Sequence, residues 1–187
     1  MNQSMQAGKD HPQLPAGLNL ALGLYSAVWY AALPPALCSK RLRSGLWPRL
    51  RSRIEPKETD IWIQAASVGE CTLVQTLLQS WPQEDPVSCL ATTNTPQGMQ
   101  VLTRTTPTQH MIFTTAYAPL DTGACVRRAL NAIRPRIVVL LETELWPNLL
   151  SACTKRGISV LLLNARMTPK SLSWYSRVRG LGRLIRP

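Results

Sequence analysis

Five short apolar runs recur between Ile61 and Asn164, each five to seven residues long: IWIQAA (61–66), VSCLATT (87–93), MIFTT (111–115), IVVLLE (137–142) and ISVLLLN (158–164). Runs of this length, with little polar alternation, suit strands buried on both faces, as in a parallel sheet. Helical spacing fills the gaps between them. Glu70 to Trp81 puts Leu73, Val74, Leu77 and Leu78 on one face. Pro96 to Thr103 opens with Thr95 as N-cap and Pro96 at the first helical position. Asp121 to Ile133 starts from Asp121 as its cap, and Trp146 to Arg156 stops at Gly157, a C-cap residue. Residues 170–186 read as a further basic helix bearing Trp and Leu. This repeated strand–helix alternation predicts an α/β fold: a parallel sheet with helices on both faces. Ligands of such sheets sit beyond the carboxyl ends of the strands. Four loops therefore hold the candidate site: 67–70, 94–98, 142–148 and 164–168.

A different pattern precedes the sheet. Residues 1–17 read as a disordered polar lead-in. Leu18 to Leu33 is an apolar run of sixteen residues, about 24 Å as a helix against a bilayer core of about 30 Å. Pro34 and Pro35 are expected to end it, because proline lacks the amide proton of a continuing helix. Three readings fit: a short or half-embedded membrane anchor (assigned to 18–37) with Trp29 and Tyr30 at the interface, a secretory signal, or a buried core helix. Residues 38–59 read as a basic connector, and 60–187 as the α/β domain.

The chain has 21 basic and 10 acidic residues, a net charge of +11. Bases cluster at 40–57 and 166–186, beside the most apolar and aromatic segments. That placement favours an anionic membrane surface over nucleic acid, for which no zinc-finger spacing, RNP motif or basic-leucine repeat is present. Bases following the apolar run also predict a cytoplasmic location for the remainder. The five cysteines, Cys38, Cys71, Cys89, Cys125 and Cys153, are scattered, with no CxxC, and His11 and His110 are isolated. No metal site is expected from such spacing. Neither GxGxxG nor GxxxxGK[ST] occurs, which argues against a dinucleotide or P-loop module.

The four loops carry polar residues with two readings each. In Ser67-Val68-Gly69-Glu70, glycine allows close ligand approach and the helix start offers free amides. Glu70 is there either a general base or a first-turn acid stabilised by the helix dipole. Thr92, Thr93, Asn94, Thr95 and Gly98 offer a polar docking site, or only a helix cap. Glu142 and Glu144 follow a very apolar strand, which favours a mechanistic role; the alternative is capping of the helix near Trp146. Arg166, after Asn164, pairs with one of these carboxylates, holds a phosphate, or is a solvated surface residue.

Taken in order, SVGE (67–70), TTxTPxG (Thr92, Thr93, Thr95, Pro96, Gly98), YxPxD (Tyr117, Pro119, Asp121), ETELWPN (142–148) and NAR (164–166) resemble the motifs of the Kdo (3-deoxy-manno-octulosonate) transferases of lipopolysaccharide assembly. The likeness extends over residues 18–187, with Gln64 standing where that family often has His. It implies the Rossmann-like N-terminal half of a GT-B glycosyltransferase, inverting and metal-independent, without a cofactor. The implied donor is CMP-Kdo and the implied acceptor a lipid A precursor, at the cytoplasmic face of the inner membrane. By the same resemblance Glu70 is the proton acceptor and Glu142 stabilises the transition state. Ser67, Gly69, Thr92, Thr93, Thr95, Gly98, Glu144, Asn164 and Arg166 are then expected to bind substrate.

The family's C-terminal domain, which holds CMP-Kdo and a further stabilising Lys, would follow Pro187. Positioning two substrates supplies on the order of 7–11 kcal/mol of rate enhancement. An acceptor half lacking the other wall of the cleft is therefore expected to be inactive alone. The alternative expectation is a non-catalytic membrane- or lipid-binding remnant.

Overall fold

The computed structural model describes residues 16–51, 54, 55, 57–82, 86–142 and 146–165. Most of the lead-in, the basic segment 170–186, Glu144 and Arg166 lie outside the described residues. Two helices, α1 (Ala16–Cys38) and α2 (Lys40–Arg51), precede the sheet. Strands β1 (Ile61–Ala65), β2 (Val87–Thr93), β3 (Met111–Tyr117), β4 (Ile137–Leu141) and β5 (Ser159–Leu163) then alternate with α3 (Val68–Gln79), α4 (Pro96–Thr103), α5 (Gly123–Ile133) and α6 (Pro147–Arg156). All five strands are parallel, in the order β3-β2-β1-β4-β5.

The period of two along β1 sorts its side chains into two cores. Ile61, Ile63 and Ala65 pack with Cys71, Val74 and Leu78 of α3 and Leu102 of α4. Trp62 points to the other face, with Val126, Leu130 and Ile133 of α5 and Leu149, Leu150 and Cys153 of α6. Each such buried aliphatic side chain contributes about 1.5–3 kcal/mol. Every residue of β1 is buried, as its central position requires.

Several helix ends follow from local chemistry. Thr95 Oγ1 accepts the Gly98 amide at 3.0 Å, with Pro96 opening α4. Gly157 ends α6 at φ 66°, a left-handed value that glycine adopts freely.

Two expectations are corrected. Pro34 and Pro35 do not end α1, which continues to Cys38. They lie in its last turns, where each removes one hydrogen bond to an upstream carbonyl on a largely exposed helix. Asp121 is not the cap of α5: Thr122 takes that place, accepting the Cys125 amide at 3.4 Å.

The segment read as a basic connector contains α2, with Pro48 inside it. Nor is α1 a buried core helix, since Leu18 is its only buried residue among those described. It is long and apolar enough to cross a membrane from Gly17 to Cys38.

Candidate active site

The sheet order reverses between β1 and β4: the chain moves outward through β2 and β3 on one side and through β5 on the other. At such a switch point the loops beyond the two central strands diverge and leave a crevice. Glu70 lies in the first turn after β1, and Glu142 directly follows β4. The topology thus places both carboxylates at neighbouring strand ends of the carboxyl edge.

Glu70 is held by a reciprocal cap. Ser67 is the N-cap of α3 and its Oγ accepts the Glu70 amide at 3.3 Å. The same hydroxyl donates to Glu70 Oε1 at 2.7 Å, and the Ala66 amide donates to Oε2 at 2.8 Å. Glu70 is only 3% exposed, so these donors and the helix N-terminus replace the water its charge would otherwise require. Gly69 is exposed in the same turn, and a Cβ there would meet only Ser67 Oγ at 3.9 Å.

The β2–α4 loop is built differently. Thr92 and Thr93 are fully buried. Thr92 Oγ1 accepts from Trp62 Nε1 at 2.7 Å and donates to Gln64 Oε1, while Gln64 Nε2 donates to Asn94 Oδ1 at 3.3 Å. This chain of bonds satisfies a glutamine buried in the central strand. Cys71 Sγ lies 3.4 Å from Thr93 Oγ1 as a hydrogen-bonded neighbour. A Cβ on Gly98 would overlap Thr93 Oγ1 and approach Cys71 Sγ to 2.9 Å, so glycine lets α4 seat against the strand end. Thr92, Thr93 and Gly98 therefore shape the edge from within the fold, whereas Asn94 and Thr95 are part-exposed.

Glu142 has φ 57° and its amide donates to Leu163 O at 2.8 Å. It does not cap α6. That place is taken by Asp121, whose Oδ2 and Oδ1 accept the amides of Asn148 and Leu149 at 3.1 and 3.0 Å. Asn148 Nδ2 donates in turn to Asp121 O at 2.6 Å and to Ser26 Oγ of α1 at 3.2 Å. The Tyr25 hydroxyl of α1 also faces Asp121 and favours its charged form. Burial pushes the Asp121 carboxyl up to about 6, against the lowering effect of these donors and of the nearby Arg49. Arg49 of α2 donates to Ala118 O at 3.1 Å and Pro119 O at 3.0 Å, and its guanidinium stands 5.6 Å over the Trp146 ring.

Local sequence reasoning missed this assembly of Tyr25, Arg49, Asp121 and Asn148. The available signal was the pair of motifs YxPxD and WPN, which the structure joins through Asp121 and Asn148. Asn164, with φ 54°, is exposed at the end of β5. Among the described residues no three His, Cys, Asp or Glu side chains gather in a group that could hold a metal.

Residues 40–187 match the family model described as 3-Deoxy-D-manno-octulosonic-acid transferase (kdotransferase). The chain is 30% identical over 167 residues to a 3-deoxy-D-manno-octulosonic acid transferase of Haemophilus influenzae, an alignment covering 83% of this chain and 38% of that protein. A Rickettsia bellii protein of the same name is 32% identical over 126 residues, 67% of this chain and 29% of its own length. A probable mitochondrial 3-deoxy-D-manno-octulosonic acid transferase of Arabidopsis thaliana is 30% identical over 169 residues, 82% of this chain and 36% of that protein. The chain thus spans well under half the length of these relatives.

Proposed function

Since the chain belongs to the 3-deoxy-D-manno-octulosonic-acid (Kdo) transferase family, we propose that it forms the acceptor side of an inverting, metal-independent glycosyltransferase. The reaction moves Kdo from CMP-Kdo to a lipid A precursor. A second domain holds CMP-Kdo opposite the carboxyl edge of this sheet, and transfer needs both walls of the cleft.

The observation that carries the reading is the position of Glu70 and Glu142 beyond adjacent strands at the switch point. Glu70 takes the proton of the acceptor hydroxyl as that oxygen attacks the anomeric carbon and CMP departs. Glu142 stabilises the charge that develops on the sugar. Gly69, Ser67, Thr95 and Asn164 line the acceptor side of the crevice. Glu144 and Arg166 also bind substrate, and Thr92, Thr93 and Gly98 fix the floor of the crevice.

On this reading the edge works at the cytoplasmic face of the inner membrane, with the apolar helix α1 at the bilayer. The Asn148 bond to Ser26 holds the helix along the domain, so it lies in the interface with Leu20, Leu24 and Val28 outward. These three residues are 62–68% exposed and recur every fourth position.

One observation favours a non-catalytic remnant: both oxygens of Glu70 already accept bonds from the chain itself. A chimera joining this chain to the remainder of the Haemophilus influenzae protein decides between the two. Kdo transfer that is lost in both Glu70→Gln and Glu142→Gln supports the catalytic reading. Transfer untouched by either substitution would overturn it.

A further inference from the structure

Helix α1 does not close fully on the domain. Between it and the first turns of α5 and the length of α6, as far as Lys155 in its last turn, runs an open groove of about 390 Å³, a volume within the usual range of ligand sites. Its α1 wall is Leu22 beside four small or polar-tipped residues, Asn19, Gly23, Ser26 and Tyr30. These recur at i, i+4, i+7 and i+11 and so form one line along the helix, separate from the exposed line of Leu20, Leu24 and Val28. The facing walls carry Arg127 and Lys155, and no acidic side chain lines the groove.

The backbone adds to this positive character. Gly123 and Ala124, which also line the groove, open α5, where the helix dipole is positive. A Cβ on Gly123 would stand 3.2 Å from Arg127 Nη1, so glycine lets the guanidinium lie against that first turn. Lys155 Nζ donates to Asn19 Oδ1 at 3.0 Å, which holds the second cation at the other end of the groove. Gly23 has nothing within 4 Å of its Cβ position.

We propose that this groove is a binding site for the phosphate headgroup of an anionic membrane lipid. The inference rests on the reading of α1 as a helix lying in the membrane interface. With Leu20, Leu24 and Val28 among the acyl chains, the groove stands at the level of the headgroups. Arg127 forks onto the phosphate oxygens, Lys155 supplies a second charge, and the hydroxyls of Ser26 and Tyr30 complete the donors. The bound lipid is a structural partner of the domain, separate from the sugar acceptor at the switch point.

The test is sedimentation of the chain with vesicles of phosphatidylcholine, alone or mixed with phosphatidylglycerol. Arg127→Ala with Lys155→Ala is expected to lower partition into the mixed vesicles about tenfold. Arg128→Ala with Arg136→Ala removes equal charge outside the groove and is expected to change it less than about twofold. The conservative pair Arg127→Lys and Lys155→Arg should keep most of the binding. Both cations are exposed, so melting temperatures should stay unchanged.

Equal losses in the two alanine pairs would mean that only overall charge is read, and would overturn the site while leaving the membrane reading intact. Failure to sediment with any vesicle would remove the membrane reading and the site with it. Release from mixed vesicles by inorganic phosphate, at matched ionic strength, would reassign the groove to a soluble anion.

Discussion

Glu142 and Asn164 follow directly on Leu141 and Leu163, the last paired residues of β4 and β5, and both have left-handed backbones, at φ 57° and 54°. Asparagine visits this region at little expense, but for an ordinary side chain it costs about 1–2 kcal/mol. A strained residue at a strand end beside a crevice is where function outweighs stability. Glu142→Gly is therefore expected to raise the unfolding free energy by about 1 kcal/mol in urea titration while abolishing Kdo transfer by the chimera. A less stable glycine variant would show instead that the carboxylate holds the loop together.

Glu70 invites a separation of its two roles. A glutamine at its place keeps an oxygen for the Ala66 amide and an amide group able to bond Ser67, so the cap survives. Glu70→Gln should stay within about 0.5 kcal/mol of the parent in stability yet lose proton-accepting ability. Glu70→Ala loses both and should cost about 1–2 kcal/mol. If transfer by the chimera follows stability across the two variants, Glu70 is a cap and nothing more.

The glycines of the first two loops are expected to respond in opposite ways. At Gly98 a Cβ overlaps Thr93 Oγ1, so Gly98→Ala should destabilise by about 1–3 kcal/mol through overpacking. At Gly69 a Cβ meets ordinary space, and alanine should stabilise α3 by up to about 1 kcal/mol. Nothing within the chain then demands glycine at 69, which leaves approach of the acceptor to the backbone as its reason. Gly69→Ala should accordingly melt higher and raise the KM for lipid acceptor. An unchanged KM would remove Gly69 from the site.

The sheet was legible because burial on both faces leaves continuous apolar runs, of which IVVLL in β4 is the fullest case. The start of α4 was legible because Thr95 and Pro96 act on the adjacent turn alone. What escaped depends on contacts distant in the chain. Asp121 looked like the cap of the helix beside it, but its carboxylate serves α6, 27 and 28 residues away. Prolines misled for a related reason: a late proline forfeits a single bond, and α1 and α2 tolerate Pro35 and Pro48 near their ends. Glu70 and Glu142 were found as candidates, yet that they follow neighbouring strands came only with the order of β1 and β4.

Asp121 gives the fold a pH dependence whose sign follows from its burial. Its carboxyl is raised from 3.8 to about 6 in the folded chain, chiefly by desolvation. The folded protein therefore binds this proton more tightly than the unfolded chain does. Its contribution to stability is full below about pH 4 and is lost as pH rises through about 6. The whole change amounts to about 3 kcal/mol. Asp121→Asn cannot ionise, and it keeps one acceptor for the amides of Asn148 and Leu149. The variant should be the less stable protein near pH 4, with the gap closing or reversing by about pH 8. Other carboxylates titrate alike in both chains and cancel from the comparison. Melting temperatures of parent and variant measured across that range check it, and two parallel curves would mean that Asp121 stays ionised throughout, its burial fully offset by the α6 amides, Tyr25 and Arg49.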